Sequence, residues 1–314
     1  MTNILQKYFD TVVRRYDDDG IIKYFDYTDF DGINAEKISF YNLHGMMIRG
    51  YIYSCESYDP ERIVVFAHGL GGHRSYMREI AYLCAHGYRV LSYDAIGCFE
   101  SDGDRMYGFT EMLSDLDCCL QYIEATECFN GLKICVIGHS FGGYAAANIL
   151  LYHPEVYSLT VISGYMYARD IPINFVHDEA AAQAAYEYER ELYPEYADAD
   201  AITALQTKGC HILMIHSIDD TVAPIACGLM LARNNCSNPS IRYAVTNGKQ
   251  HLPHYTLDAA QYFAKTFGDY QSKLISGELK TDEDKKEFFA TVDFMRMTEQ
   301  DEQIWRLILD NIKG

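Results

Sequence analysis

Ser140 stands between glycines in Gly138-His139-Ser140-Phe141-Gly142, directly after the strand-like run Lys133-Ile134-Cys135-Val136-Ile137 and just before Tyr144-Ala145-Ala146-Ala147, which favours a helix. A strand, a sharp turn and a helix in that order force a serine into strained backbone geometry and aim its Oγ out of a sheet. The residues two before and two after must be small for the chain to close, and Gly138 and Gly142 meet that demand. A serine hydroxyl attacks only when a base takes its proton, and the base needs a carboxylate to fix its tautomer. Downstream, Asp219 and Asp220 follow the strand-like run His211-Ile212-Leu213-Met214-Ile215-His216, and His251 follows Ile241-Arg242-Tyr243-Ala244-Val245 through Asn247-Gly248-Lys249-Gln250. Serine, acid and histidine therefore come in the chain order that one serine-hydrolase architecture uses.

Acyl transfer also needs backbone N–H groups aimed at the developing oxyanion. His68-Gly69-Leu70-Gly71-Gly72 follows the apolar run Ile63-Val64-Val65-Phe66-Ala67, and its glycines let the backbone approach a ligand closely. The expected donors are the amides of Leu70 and of Phe141, the residue after the serine.

On these residues the chain resembles the α/β-hydrolase superfamily over roughly residues 36 to 270. The family's oxyanion segment matches His68-Gly69-Leu70-Gly71-Gly72, its serine turn matches Gly138-His139-Ser140-Phe141-Gly142-Gly143, and its acid loop matches His216-Ser217-Ile218-Asp219-Asp220-Thr221-Val222-Ala223-Pro224. The resemblance implies Asp220 rather than Asp219 as the acid and His251 as the base, with His254 the runner-up. Bacterial carboxylesterases and monoacylglycerol-lipase-like enzymes look nearest. One departure falls in Asp94-Ala95-Ile96-Gly97-Cys98, where Ile96 occupies the place of the arginine usual in such enzymes and Cys98 is expected toward the pocket.

Structural roles compete with the chemical ones. Asp220 precedes Thr221-Val222-Ala223-Pro224, which reads as a helix start that an aspartate would cap. His68 reads as positioning the oxyanion loop, and His139 and His153 as packing near the serine helix without chemical duty. No His-Glu-x-x-His or Cys-x-x-Cys spacing occurs, and the glycines form neither a dinucleotide fingerprint nor a phosphate loop, so neither metal nor cofactor is expected.

The elements that must position these residues follow from periodicity. A short amphipathic helix is expected over 4–15, a pair of antiparallel strands over 36–40 and 46–53, and further strands over 62–67, 88–94, 132–138, 157–163, 211–216 and 240–245. Helical patterns lie between them, as in Phe109, Met112, Leu113, Leu116, Leu120 and Ile123. This alternation predicts an α/β fold: a mostly parallel, doubly wound sheet with helices on both faces, spanning 1–314 as one domain. The roughly forty residues of 165–209 are too long for a simple loop and read as a short helical cap insertion with a helix over 179–196 that could lie over Ser140. Its Glu179, Glu187, Glu189 and Glu191 could anchor an amine but read as a solvated helix face. Residues 270–314 form an extension of two helices, which could brace the domain, cover an edge or pair with a second subunit as a homodimer; the first use is favoured.

Composition narrows the partners. With 26 basic against 45 acidic residues the net charge is −19, which disfavours nucleic acid and anionic membranes. No apolar stretch approaches the roughly 20 residues of a membrane span. No leader-like start is seen, and the ten cysteines are scattered through apolar runs as reduced core residues, so a cytoplasmic protein is expected. The expected activity is hydrolysis of a small, apolar or aromatic carboxylic ester through an acyl-enzyme on Ser140. A thioesterase, a small-peptide hydrolase or an acyltransferase would use the same groups, and a catalytically silent binding protein is the reading from another class.

Overall fold

Four strands carry near-continuous apolar runs, and in the computed structural model these lie side by side inside the sheet: β3 (Arg62–Ala67), β5 (Lys133–His139), β6 (Ser158–Ile162) and β7 (His211–Ser217) are buried along almost their whole length. Such strands must be covered on both faces, as parallel strands with helical crossovers are. The structure describes residues 13–17, 20–22 and 24–314. With β1 (Asn34–Tyr41), β2 (Met47–Ser54), β4 (Val90–Asp94) and β8 (Ile241–Thr246) the strands form one eight-stranded sheet, in the order β1-β2-β4-β3-β5-β6-β7-β8. β1 and β2 pair antiparallel, β2 joins β4 antiparallel, and every later pairing is parallel. Edge strand β1 alternates exposed and buried residues near its end, as a half-solvated strand should.

Helices α1 (Met77–Ala85), α2 (Thr110–Ala125) and α3 (Phe141–Ile149) follow β3, β4 and β5. Between β6 and β7 lie α4 (Asp170–Val176), α5 (Glu179–Leu192) and the single turn α6 (Ala201–Ala204); α7 (Leu229–Asn235) precedes β8. The chain closes with α8 (Leu257–Ser276), α9 (Asp282–Ala290), α10 (Phe294–Met297) and α11 (Glu302–Lys313). One core joins α2, α3 and α7 to one sheet face, through residues such as Leu113, Leu116, Tyr144, Ala145 and Leu229 against Val65, Val136 and Leu159. On the opposite face, Ile80 and Leu83 of α1 and Trp305, Ile308 and Ile312 of α11 cover Val64, Phe66, Cys135 and Ile137.

The expected strands are all present, with ends shifted by one or two residues. The helix expected over 4–15 falls on residues 4–12 outside the described residues, and Val13 to Arg15 are not helical. α5 ends at Leu192 rather than 196, because Tyr193 to Ala199 turn back through backbone bonds such as Tyr196 N to Tyr193 O. The expected helix at Thr221 is replaced by bends and a short 3₁₀ turn, Ile225–Cys227. Residues 270–314 hold the end of α8 and three further helices, α9 to α11, rather than two, and α11 is no appendage: Trp305 is fully buried, with its indole N–H on Gln300 Oε1. No helix among the described residues is long and apolar enough to cross a membrane, and all ten cysteines are free thiols.

Candidate active site

Every residue singled out for chemistry lies beyond the carboxyl end of a strand, where open α/β sheets hold their ligands. The 68–72 loop follows β3, Ser140 follows β5 next to it, Asp219 and Asp220 follow β7, and His251 follows β8.

Ser140 has φ 58° and ψ −116°, a conformation that L-residues avoid, and its amide is tied to Ile162 O at 2.9 Å. The glycines around it answer to close packing. A Cβ on Gly138 would collide with Gly142 O, and one on Gly142 would collide with Ala67 O, so the strand end, the turn and the oxyanion-type loop close only around bare backbone. A Cβ on Gly69 would sit 3.0 Å from Ser140 Cβ, which puts that loop directly against the serine. Among the described residues, the amides of Leu70 and Phe141 donate to no other group. His68 holds the loop: its Nε2 accepts Ala95 N–H at 2.9 Å, so Nδ1 carries the proton toward Gly69 O, and burial lowers its pKa to about 4. His68 is therefore neutral and structural, as its sequence context implied.

The two aspartates separate clearly. Asp220 is buried; its Oδ1 accepts Val222 N–H and Ala223 N–H at 2.9 Å each, and its Oδ2 pairs with His251 Nδ1 at 2.8 Å. One oxygen thus fastens the turn at Val222 and Ala223, where no helix follows, and the other faces the His251 ring. Burial alone would raise the Asp220 carboxyl, but hydrogen bonds from His216 and His251 and the Ala223 amide outweigh it and hold the group well below the usual carboxylate range. A carboxylate only accepts, so His251 Nδ1 must carry the proton and its Nε2 is left free to take one. Asp219 instead fastens the loop that carries His251: it accepts from Ser217 Oγ at 2.5 Å, Gly248 N at 3.0 Å and Gln250 N at 3.3 Å. His254 turns away, its Nε2 on buried Glu79 Oε1 at 3.1 Å.

Four features escaped the sequence. The Arg15 guanidinium donates to the carbonyls of Gly103, Phe99 and Ser101 at 2.5, 2.6 and 3.2 Å, so a cation from the N-terminal segment serves the loop where Ile96 replaces the usual arginine. Ile96 and Cys98 lie in the core, and Cys98 does not open toward a pocket. Glu189, read as part of a solvated face, is buried and accepts Thr110 N–H and Oγ1–H at 2.8 and 2.6 Å, whereas Glu179, Glu187 and Glu191 are exposed. His139 does more than pack: its two ring nitrogens meet the His251 carbonyl and the Tyr76 hydroxyl. Nothing in local sequence pairs Arg15 with residue 99 or Glu189 with residue 110, since those contacts depend on the closed fold.

The segment between β6 and β7 reaches Phe141 and the acid loop through α4 and Tyr165. Phe175 stacks near Phe109 and Phe141, at centroid distances of 5.7 and 5.8 Å, and Tyr165 donates to Val222 O in the acid loop. His153 lies away from the serine, its Nε2 on Asp117 at 2.7 Å and its Nδ1 facing Glu124 and Glu155 at 3.0 Å each.

The profile of a family described as serine aminopeptidase, S33, matches residues 58–208. A proline iminopeptidase of Saccharolobus solfataricus is 30% identical over 136 residues, so the match spans 42% of this chain and 42% of that relative's length. Among solved structures, an esterase of Pyrococcus furiosus superposes with a TM-score of 0.57 at 16% identity, covering 81% of this chain and 95% of that one. An α/β hydrolase of Penicillium sp. sh18 gives 0.54 at 16% identity over 82% and 99% of the two chains. An acetyl xylan esterase of Paenibacillus sp. R4 gives 0.55 at 15% identity over 73% and 82%. With its sheet order and these likenesses, the chain has the α/β-hydrolase fold.

Proposed function

We propose that this protein is a serine hydrolase that cleaves small carboxylic esters. The observation that carries this reading is the pairing of His251 Nδ1 with a buried Asp220 beside a strained serine turn whose neighbouring amides are unused. Ser140 Oγ attacks the acyl carbonyl while His251 Nε2 takes its proton, and the amides of Leu70 and Phe141 hold the oxyanion. The C–O bond to the alcohol then breaks, His251 returns the proton to the leaving alcohol, and water releases the acid by the same steps in reverse roles. The aromatic group Phe109, Phe141 and Phe175 favours an apolar acyl or alcohol part.

A second reading, cleavage of short peptides, is favoured by the description of the matching family and by the named activity of the Saccharolobus relative. The test is turnover of p-nitrophenyl esters from acetyl to dodecanoyl, with prolyl p-nitroanilide alongside, by wild type and Ser140→Ala. Ester turnover that falls about a million-fold in Ser140→Ala is the expected result. Anilide turnover without ester turnover would transfer the same machinery to peptides, and ester turnover that survives Ser140→Ala would overturn the serine mechanism.

A further inference from the structure

The residue immediately before the serine is a histidine whose two ring nitrogens are both engaged. His139 is buried, its Nε2 lies 2.8 Å from the carbonyl oxygen of His251, and its Nδ1 lies 2.9 Å from Tyr76 Oη. A carbonyl only accepts, so Nε2 carries the proton, Nδ1 is a lone pair, and the Tyr76 hydroxyl donates to it. Tyr76 is itself buried and lies directly against Gly69, where any Cβ would strike its hydroxyl oxygen. A continuous polar path thus runs from the oxyanion-type loop through Tyr76 and His139 to the backbone of His251. The His139 and His251 rings stand 4.8 Å apart. Burial, followed by the neighbouring His251 and His254, pushes the His139 pKa well below the ordinary histidine range, so this second imidazole stays neutral beside the first.

We propose that His139 is a positioning residue that sets the distance between serine and base, with Tyr76 fixing its tautomer; this rests on the serine-hydrolase reading above. His139 is covalently joined to Ser140, so its single hydrogen bond to the His251 carbonyl links nucleophile and base through two residues. The Asp220 contact orients the His251 ring but leaves the backbone of its loop to be held by others, among them His139 from the end of β5, Asp219 from the turn after β7 and the Lys249 to Asp301 ion pair. Misplacing a reacting group by about 1 Å can cost about a hundredfold in rate.

The test compares His139→Gln, His139→Asn, His139→Leu and Tyr76→Phe in the full chain. Glutamine can place an amide N–H where Nε2 stood and keep the bond to the His251 carbonyl. Asparagine reaches only the Tyr76 side, and leucine neither. On the best p-nitrophenyl ester, the leucine and asparagine variants should lose about 30-fold in kcat with KM within about twofold, and glutamine should stay within about threefold of wild type. Tyr76→Phe should lose about fivefold, since the tautomer is then less strictly held. Equal losses in glutamine and leucine, no loss in any variant, or a change confined to KM would overturn the positioning role. A downfield proton resonance for His251 Nδ1–H on Asp220 gives a readout without turnover: it should broaden or vanish in leucine and persist in glutamine. That signal judges the brace even if Ser140→Ala shows that the hydrolase reading itself fails, and its persistence in leucine would sink the proposal. Thermal unfolding of each variant separates misfolded protein, and where leucine fails to fold, asparagine and Tyr76→Phe carry the comparison.

Discussion

Asp220→Asn isolates the tautomer argument from everything else that residue does. Asparagine can keep its oxygen on the Val222 and Ala223 amides, where Oδ1 accepts at 2.9 Å, so the turn should survive. Its amide nitrogen must then occupy the place of Oδ2, 2.8 Å from His251 Nδ1. A donor there cannot face an N–H, so His251 must shift its proton to Nε2 and lose the acceptor that should take the serine proton. That change of tautomer costs about ten-thousand-fold in kcat, or about 5.5 kcal/mol of transition-state stabilisation. Asp219→Asn is the internal control. It keeps one acceptor for the Ser217, Gly248 and Gln250 donors, and its carboxylate does not touch the His251 ring, so about tenfold is expected. Both variants should unfold near wild type in thermal denaturation, and kcat/KM on a p-nitrophenyl ester gives the rates. An Asp219→Asn loss equal to or larger than that of Asp220→Asn, or an Asp220→Asn variant within tenfold of wild type, would refute the assignment of the acid.

Buried carboxyls predict how stability varies with pH. Burial raises Asp115 to about 7, and burial and the neighbouring Asp115 charge raise Glu111 well above the usual range. An acid with a raised folded pKa binds its proton more tightly in the native state. Its contribution is therefore full below the unfolded value near 4 and is lost as pH rises through about 7, at up to a few kcal/mol, so urea midpoints should fall from pH 5 to pH 8 and Glu111→Gln should flatten that slope. Trp305→Ala should cost about 3–5 kcal/mol in urea unfolding, because α11 covers a sheet face; a loss below about 1 kcal/mol would make the helix an appendage. Phe175→Ala should move the acyl-chain optimum of the ester series toward longer or bulkier groups, and an unchanged profile would remove α4 from the pocket.

Much of this molecule was legible because its signals are local. Gly138 and Gly142 mark the serine turn since only bare backbone fits there, and the apolar runs of β3, β5, β6 and β7 announce strands buried on both faces. Chain order set Asp219, Asp220 and His251 on the side of Ser140, since each follows a strand whose carboxyl end must face one side of a parallel sheet. Where residues were misread, the missing quantity was a long-range contact. Glu189 has the sequence of a solvated helix face, yet the Thr110 amide and hydroxyl bury it.

By itself, then, the sequence determined the α/β alternation, the serine turn and the set of groups that could do acyl chemistry, because strand periodicity, glycine geometry and residue type are properties of short segments. Only the tertiary structure set Asp220 against the His251 ring and Asp219 against the backbone of its loop, turned His139 from packing into a bridge between Tyr76 and His251, and brought Arg15 to the loop that lacks its usual arginine. Each of those outcomes depends on directions and distances between segments far apart in the chain, and these exist only once the sheet has closed and both its faces are covered.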